Sequence, residues 1–345
     1  TCSRSSRRHG ESAAKALVCG PVKRDTSAMP VHPQVQGFLD LLRATNLPPY
    51  EQSTLQQARE RMDMLAMLES PAEPVAVVRN ERILGPGGEL PIRIYAPQES
   101  SHSPALLYFH GGGWVIGSLE SHDRLCRALC NAAHCVVISV DYRLAPEHKF
   151  PAAADDCEAA FHYVYKHAAD LGIDPARIAV GGDSAGGNLA AVVTLRTRAS
   201  GGATPAAQVL LYPATDHRHD TPSRRDFSDG YLLTDAAMRW FSGHYLRSAA
   251  DGHHPDASPA AAASLTGLPP AFILTAEYDP LRDEGEAYAE RLQQAGVPVI
   301  LRRCEGMIHG FLQLTQMVPA ARPAIDEVAE WLRTTLSQTT TSHHV

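Results

Sequence analysis

Ile178-Ala179-Val180-Gly181-Gly182-Asp183-Ser184-Ala185-Gly186-Gly187-Asn188-Leu189-Ala190 is the stretch whose reading decides the fold. A short apolar run enters a glycine pair, reaches Ser184, passes two more glycines and continues as a small-residue helix over 188–199. Gly182-Asp183-Ser184-Ala185-Gly186 fits the G-x-S-x-G pattern, with a strand before it and a helix after it. A serine on a sharp strand-to-helix turn needs a strained backbone, and flanking glycines let neighbouring chain pass close by. The first turn of the following helix offers unbonded N–H groups and the positive end of its dipole. A glycine-rich turn with an incidental serine would look the same in isolation, so the surrounding chain has to decide.

Outward from this stretch, short apolar strands alternate with helices. Strands are expected at Ala105 to Phe109, Cys135 to Tyr142, Ile178 to Val180, Val209 to Tyr212, Ala271 to Thr275 and Val299 to Arg302. Ahead of them, Ala76 to Ile83 and Leu90 to Tyr95 flank Gly85-Pro86-Gly87-Gly88 as an antiparallel hairpin. Helices are expected at Asp123 to Ala133, Ala152 to Ala169, Asp283 to Ala295 and Ala320 to Leu336. Such alternation implies a mostly parallel sheet covered on both faces, with working residues in the loops at the strands' carboxyl ends.

Those loops carry the chemistry. Nucleophilic serine catalysis needs a base, a group to orient that base, and donors for an oxyanion. Asp279 falls in the loop after Ala271 to Thr275, and His309 after the last strand, followed by glycine. The order is serine, acid, histidine. Glu277 and Asp283 rival Asp279, but Glu277 lies close to the strand end and Asp283 is better suited to capping or pinning the next helix. His148 is a weaker base candidate because it precedes the serine inside a Pro-rich loop. His217, His219, His253, His254, His343 and His344 are expected to be solvent-exposed. His110-Gly111-Gly112-Gly113 follows another strand, and its consecutive glycines let N–H groups turn inward. Gly112, Gly113 and Ala185 are the expected oxyanion donors, with Gly111 the near alternative.

Five blocks together resemble the hormone-sensitive-lipase-like branch of the α/β-hydrolases: His110-Gly111-Gly112-Gly113-Trp114, Asp141 to Glu147, Gly182 to Asn188, Asp279-Pro280-Leu281-Arg282-Asp283 and His309-Gly310-Phe311. The resemblance spans residues 30–336. It implies an α/β-hydrolase fold with an eight-stranded, mostly parallel sheet and a helical cap. It further implies a Ser184–His309–Asp279 triad, no cofactor, and carboxylesterase activity on short- to medium-chain esters through an acyl-enzyme. Receptors on the same fold are the rival class, and they lack the triad histidine that His309 supplies here. Asp141 and Arg143 are expected to pair and brace the loops.

The remainder bounds the setting. The 345 residues carry a net charge of −7 with both signs interspersed, which argues against nucleic acid as a partner. No apolar run reaches membrane-spanning length, so no stable membrane insertion is expected. Seven cysteines lie scattered without C-x-x-C pairs, so buried reduced thiols are expected rather than a metal site, in a cytoplasmic setting. Residues 1–28 are expected to be a disordered leader and 338–345 a disordered tail. Residues 29–72 should form cap helices, with stripes at Val35, Phe38, Leu41 and Leu42, then Leu55, Ala58, Met62, Leu65 and Leu68. The catalytic domain would comprise 73–215 and 269–337. The long connection 216–268 reads as a cap insertion holding a helix with Thr234 as its N-cap. Trp114, Trp240 and Phe241 suit either the pocket lining or the core. A small-molecule ester is the expected partner, and the oligomeric state is open, a homodimer included.

Overall fold

The computed structural model describes residues 30–68, 72–98, 102–218 and 220–338. The expected leader, nearly all of the expected tail, and His219 lie outside the described residues. Eight strands run β1 (Val77–Gly85), β2 (Gly88–Ala96), β3 (Ser103–Phe109), β4 (Val136–Val140), β5 (Ile173–Asp183), β6 (Ala207–Leu211), β7 (Ala271–Tyr278) and β8 (Val299–Ile308). Their spatial order is β1-β2-β4-β3-β5-β6-β7-β8. Strand β2 pairs antiparallel with both β1 and β4, and all later pairings are parallel.

The central strands are mostly apolar where both faces are covered, with a few buried polar residues such as Ser139 and Gln208 among them. Side chains alternate across the sheet, so Leu107, Phe109, Val180, Leu210 and Ile273 enter one core while Leu106, Tyr108, Ala179, Val209 and Phe272 enter the other. Helices α4 (Ala152–Lys166), α5 (Ala185–Ser200) and α8 (Arg282–Gln294) supply the first core with Phe161, Leu189, Val193, Tyr288 and Leu292. Helices α3 (Asp123–Ala133) and α9 (Arg322–Gln338) supply the second with Leu125, Leu129, Val328 and Leu332. Cys126, Cys130, Cys135 and Cys157 are buried free thiols within these cores.

Two helices precede the sheet, α1 (Pro33–Ala44) and α2 (Leu55–Leu68). In α1 the buried residues are Val35, Phe38 and Leu39, while Leu41 is 54% exposed, which corrects the expected stripe. The reason is angular: Leu39 lies one residue from Phe38 and four from Val35, on the packed side, whereas Leu41 points away. Between β6 and β7 lie α6 (Pro222–Asp226) and α7 (Asp235–Tyr245). The Thr234 side chain caps α7 through Ala237 N–H, as the sequence suggested.

The Asp141–Arg143 pair does not form. Arg143 instead grips Asp156 on α4 through Nε and Nη2, both at 2.8 Å, and Arg143 N–H also donates to that carboxylate. The first turns of α4 face the Arg143 loop and bring Asp156 within reach of both the guanidinium and the backbone N–H of Arg143. Asp141 is half-buried, and burial raises its pKa.

Candidate active site

The turn at Ser184 is strained as its surroundings require. Ser184 sits at φ +55°, ψ −117°, between the end of β5 and the first residue of α5. Its N–H donates to Leu211 O on the neighbouring strand, and its carbonyl accepts from Ala214 N–H, so strand pairing over-determines the turn. Gly186 permits the tight approach: a Cβ there would stand 1.8 Å from Phe109 O, inside any contact distance.

Three strand ends deliver three side chains to this turn. His309 Nε2 lies 2.9 Å from Ser184 Oγ, and His309 Nδ1 lies 2.7 Å from Asp279 Oδ2. Asp279 is fully buried and also accepts from Leu281 N–H at 2.8 Å, which orients its carboxylate. The rivals are engaged elsewhere. Glu277 accepts from Gly306 N–H on β8, and Asp283 accepts from Ser223 N–H at the start of α6. Asp283 thus satisfies the opening of a neighbouring helix rather than capping its own.

The glycine loop after β3 turns beside Ser184. Gly112 and Gly113 take φ values of +116° and +59°, and both line the same cavity as Ser184 and Ala185. Val115 and Ile116 N–H close the turn on Gly112 O. Gly111 N–H is already committed, donating to Asp183 Oδ1 at 2.9 Å, which removes the near alternative as an oxyanion donor. His110 stacks on Tyr142 at 4.2 Å, and burial pushes its pKa down to about 3, so it serves the loop as a neutral ring.

Beneath the turn lies a polar cluster that the sequence reading missed. Asp183 is 2% exposed and accepts from Tyr108 Oη (2.7 Å), Gly111 N–H and Gln313 Nε2 (2.8 Å), with His122 Nε2 at 3.2 Å. Burial works against its ionisation, but His122 and the hydrogen bonds outweigh that and hold its pKa below 3.8. The cluster ties β3, the glycine loop, α3's start and the segment after His309 to the residue before Ser184. Its members are far apart in sequence, and of them only Gly111 and Asp183 sat inside recognised motifs, while Tyr108, His122 and Gln313 did not.

The triad opens into a cavity of about 180 Å3. One ordered water needs only about 10–15 Å3, so this is space for a ligand. Tyr50 and Met62 from the region before β1 and Leu233, Met238 and Phe241 from the 216–268 segment share its wall with Phe38, Leu125, Leu314 and Ile325. Trp114 serves both roles foreseen for it: it is 4% exposed, stacks on Tyr245 at 4.4 Å, and still touches the cavity. Trp240 instead packs on Tyr50 and His244. His217 corrects its expected exposure. It lies against Trp114 at 5.0 Å in the cavity wall, and burial lowers its pKa to about 4. A polar loop sequence gave no sign that two aromatic faces would close over it. Among the described residues no helix is long and apolar enough to cross a membrane.

A serine, histidine and carboxylate in a hydrogen-bonded row at the carboxyl end of a mostly parallel sheet is the arrangement of α/β serine hydrolases. Residues 106–313 match the family model described as "alpha/beta hydrolase fold", and the chain belongs to that family, in its hormone-sensitive-lipase-like branch. It is 48% identical over 262 residues to the carboxylic ester hydrolase LipN of Mycobacterium tuberculosis, covering 74% of this chain and 70% of that one. It is 39% identical to an arylesterase of Saccharolobus solfataricus, covering 85% and 98%. An ester hydrolase from the metagenome of Lake Arreo superposes with a TM-score of 0.87 at 44% identity, covering 89% of this chain and all of that one. The chain is a carboxylic ester hydrolase.

Proposed function

We propose that Ser184 attacks the ester carbonyl, with His309 Nε2 taking the hydroxyl proton and Asp279 holding the imidazole by Nδ1–H. Gly112, Gly113 and Ala185 N–H groups receive the oxyanion, each donor contributing on the order of 3 kcal/mol of transition-state stabilisation. His309 then gives the proton to the leaving alcohol, and water hydrolyses the acyl-Ser184. The single observation that carries this reading is the unbroken row Ser184 Oγ–His309–Asp279, at 2.9 and 2.7 Å, at the edge of an otherwise largely apolar cavity.

The apolar wall supports short- to medium-chain acyl groups. Turnover of p-nitrophenyl esters from acetate to palmitate should peak at the shorter chains. A peak at palmitate would overturn that preference. Mass spectrometry after treatment with a p-nitrophenyl phosphonate should find one adduct, on the peptide holding Ser184. Labelling elsewhere, or none, would overturn the nucleophile.

The described parts of residues 29–72 and 216–268 form the cap in this reading, and Arg59 of α2 is one of its tethers. Its Nε donates to Val115 O at 3.0 Å, its Nη2 to Ala145 O at 3.2 Å, and both Nη atoms to Glu147, whose pKa the pairing lowers to about 2. Hydrogen bonds from a charged group contribute about 1.5–3 kcal/mol, so Arg59→Met should raise KM for p-nitrophenyl butyrate roughly tenfold. The turnover number should change far less. A fall in kcat at constant KM would assign Arg59 to the chemistry rather than to the cap.

A further inference from the structure

Glu284, the third residue of α8, borders the catalytic cavity and has no part in the triad. It is 2% exposed. Oε1 accepts from Thr215 N–H at 2.7 Å and from Asp216 N–H at 3.2 Å, while Oε2 is buried with no hydrogen-bond partner among the described residues. An unsatisfied carboxyl oxygen beside a reaction cavity is costly to maintain and calls for an occupant. We propose that the free oxygen of the Glu284 carboxyl holds the water that hydrolyses the acyl-Ser184 intermediate, making Glu284 a further catalytic residue; the inference rests on the serine mechanism above.

Topology places Glu284 on the correct side. The glycine loop follows β3, on one side of β5 and Ser184, whereas the 214–216 segment, Glu284 and His309 follow β6, β7 and β8 on the other. Water activated by His309 must approach from the histidine's side, opposite the oxyanion donors. The carboxyl is also indexed to the nucleophile, because Ala214 N–H donates to Ser184 O and the next two N–H groups fix Oε1. His217 Nε2, another open polar atom in the wall, sits instead against Trp114 on the glycine-loop side.

The charged groups acting on Glu284 are Asp216, which Arg218 pairs, and Arg224, which Asp235 pairs; His309 lines the same cavity. Burial, aided by Asp216, pushes the Glu284 pKa up to about 8 against the opposing pull of its hydrogen bonds and Arg224. At neutral pH the carboxyl is therefore protonated, and since Oε1 accepts two bonds the proton belongs on Oε2. Water then accepts from Oε2–H and gives its own proton to His309 Nε2 as its oxygen bonds the acyl carbon. The bond from that carbon to Ser184 Oγ breaks, and His309 returns the proton to Oγ. Glu284 keeps its proton throughout.

The test compares wild type, Glu284→Gln and Glu284→Met with p-nitrophenyl acetate. Glutamine accepts the two N–H bonds and donates from Nε2 at every pH, whereas the wild-type donor is lost as pH rises through about 8. Roughly tenfold fewer wild-type molecules hold that proton at pH 9 than at pH 7, so wild-type kcat should fall several-fold over that range. In Glu284→Gln this alkaline fall should disappear, and in Glu284→Met a p-nitrophenol burst should precede turnover at least about tenfold slower than in wild type. Matching alkaline profiles for wild type and Glu284→Gln would overturn the proposal, as would a folded Glu284→Met without a burst. If Glu284→Met does not fold, the profile comparison decides alone. Phosphonate labelling of Ser184 keeps the two readings apart: a labelled enzyme with matching profiles sinks Glu284's role only, and an unlabelled one sinks the serine mechanism.

Discussion

Ser184→Ala should lower kcat for p-nitrophenyl acetate by at least about 10^4-fold while leaving the fold intact, because triad members act as a unit and removing one removes most of their joint effect. Ser184 Oγ bonds to His309 Nε2, while the backbone bonds to Leu211 O and from Ala214 N–H survive truncation. Heat unfolding should therefore shift little. Asp279→Asn should be about as damaging to turnover, since a neutral amide no longer fixes the Nδ1–H tautomer of His309. Retention of more than about a hundredth of wild-type turnover by Ser184→Ala would exclude it as nucleophile.

The second large effect belongs to Asp183, which touches no substrate. Asp183→Ala should cost about 3–5 kcal/mol of stability, because Tyr108 Oη, Gly111 N–H and Gln313 Nε2 would lose a buried acceptor together. Turnover should fall as well, since Gly111 is the hinge that sets Gly112 and Gly113 beside Ser184. Asp183→Asn keeps an acceptor for two donors and should lose less on both counts. The pH dependence follows from the depressed pKa. The folded-state value lies below 3.8, so the carboxylate's contribution is fully present above the unfolded value of 3.8. It is lost as pH falls through the lower folded value. The stability gap between wild type and Asp183→Asn in urea should be equal at pH 5 and pH 8 and close only in stronger acid. A gap that grows between pH 5 and pH 8 would show that Asp183 titrates there and would overturn the assignment.

The Asp183 cluster also marks the boundary of what the sequence of this molecule makes legible. Elements with strong local signals were readable: the apolar strands, the glycine-flanked serine turn, the Thr234 cap, and loops at strand ends carrying Ser184, Asp279 and His309. Each depends on backbone rules that act within a few residues, such as alternation, glycine's access to positive φ, and strand-to-helix turns. Stripe assignment in α1 was less secure, because Leu39 and Leu41 are equally apolar and only the partner surface separates them.

What the tertiary structure alone decided is where buried polar groups find their partners. Arg143 chose Asp156 over Asp141, Gly111 N–H went to Asp183, and Glu284, which borders the cavity, was left with one buried carboxyl oxygen without a partner among the described residues. His217 passed from an apparently solvated loop into an aromatic wall. A buried hydrogen bond depends on distance and direction between residues tens or hundreds of positions apart, and no local pattern encodes either. Local propensities therefore determined the architecture and the strand ends that carry Ser184, Asp279 and His309, whereas long-range packing determined which polar groups support them and which are left without a protein partner.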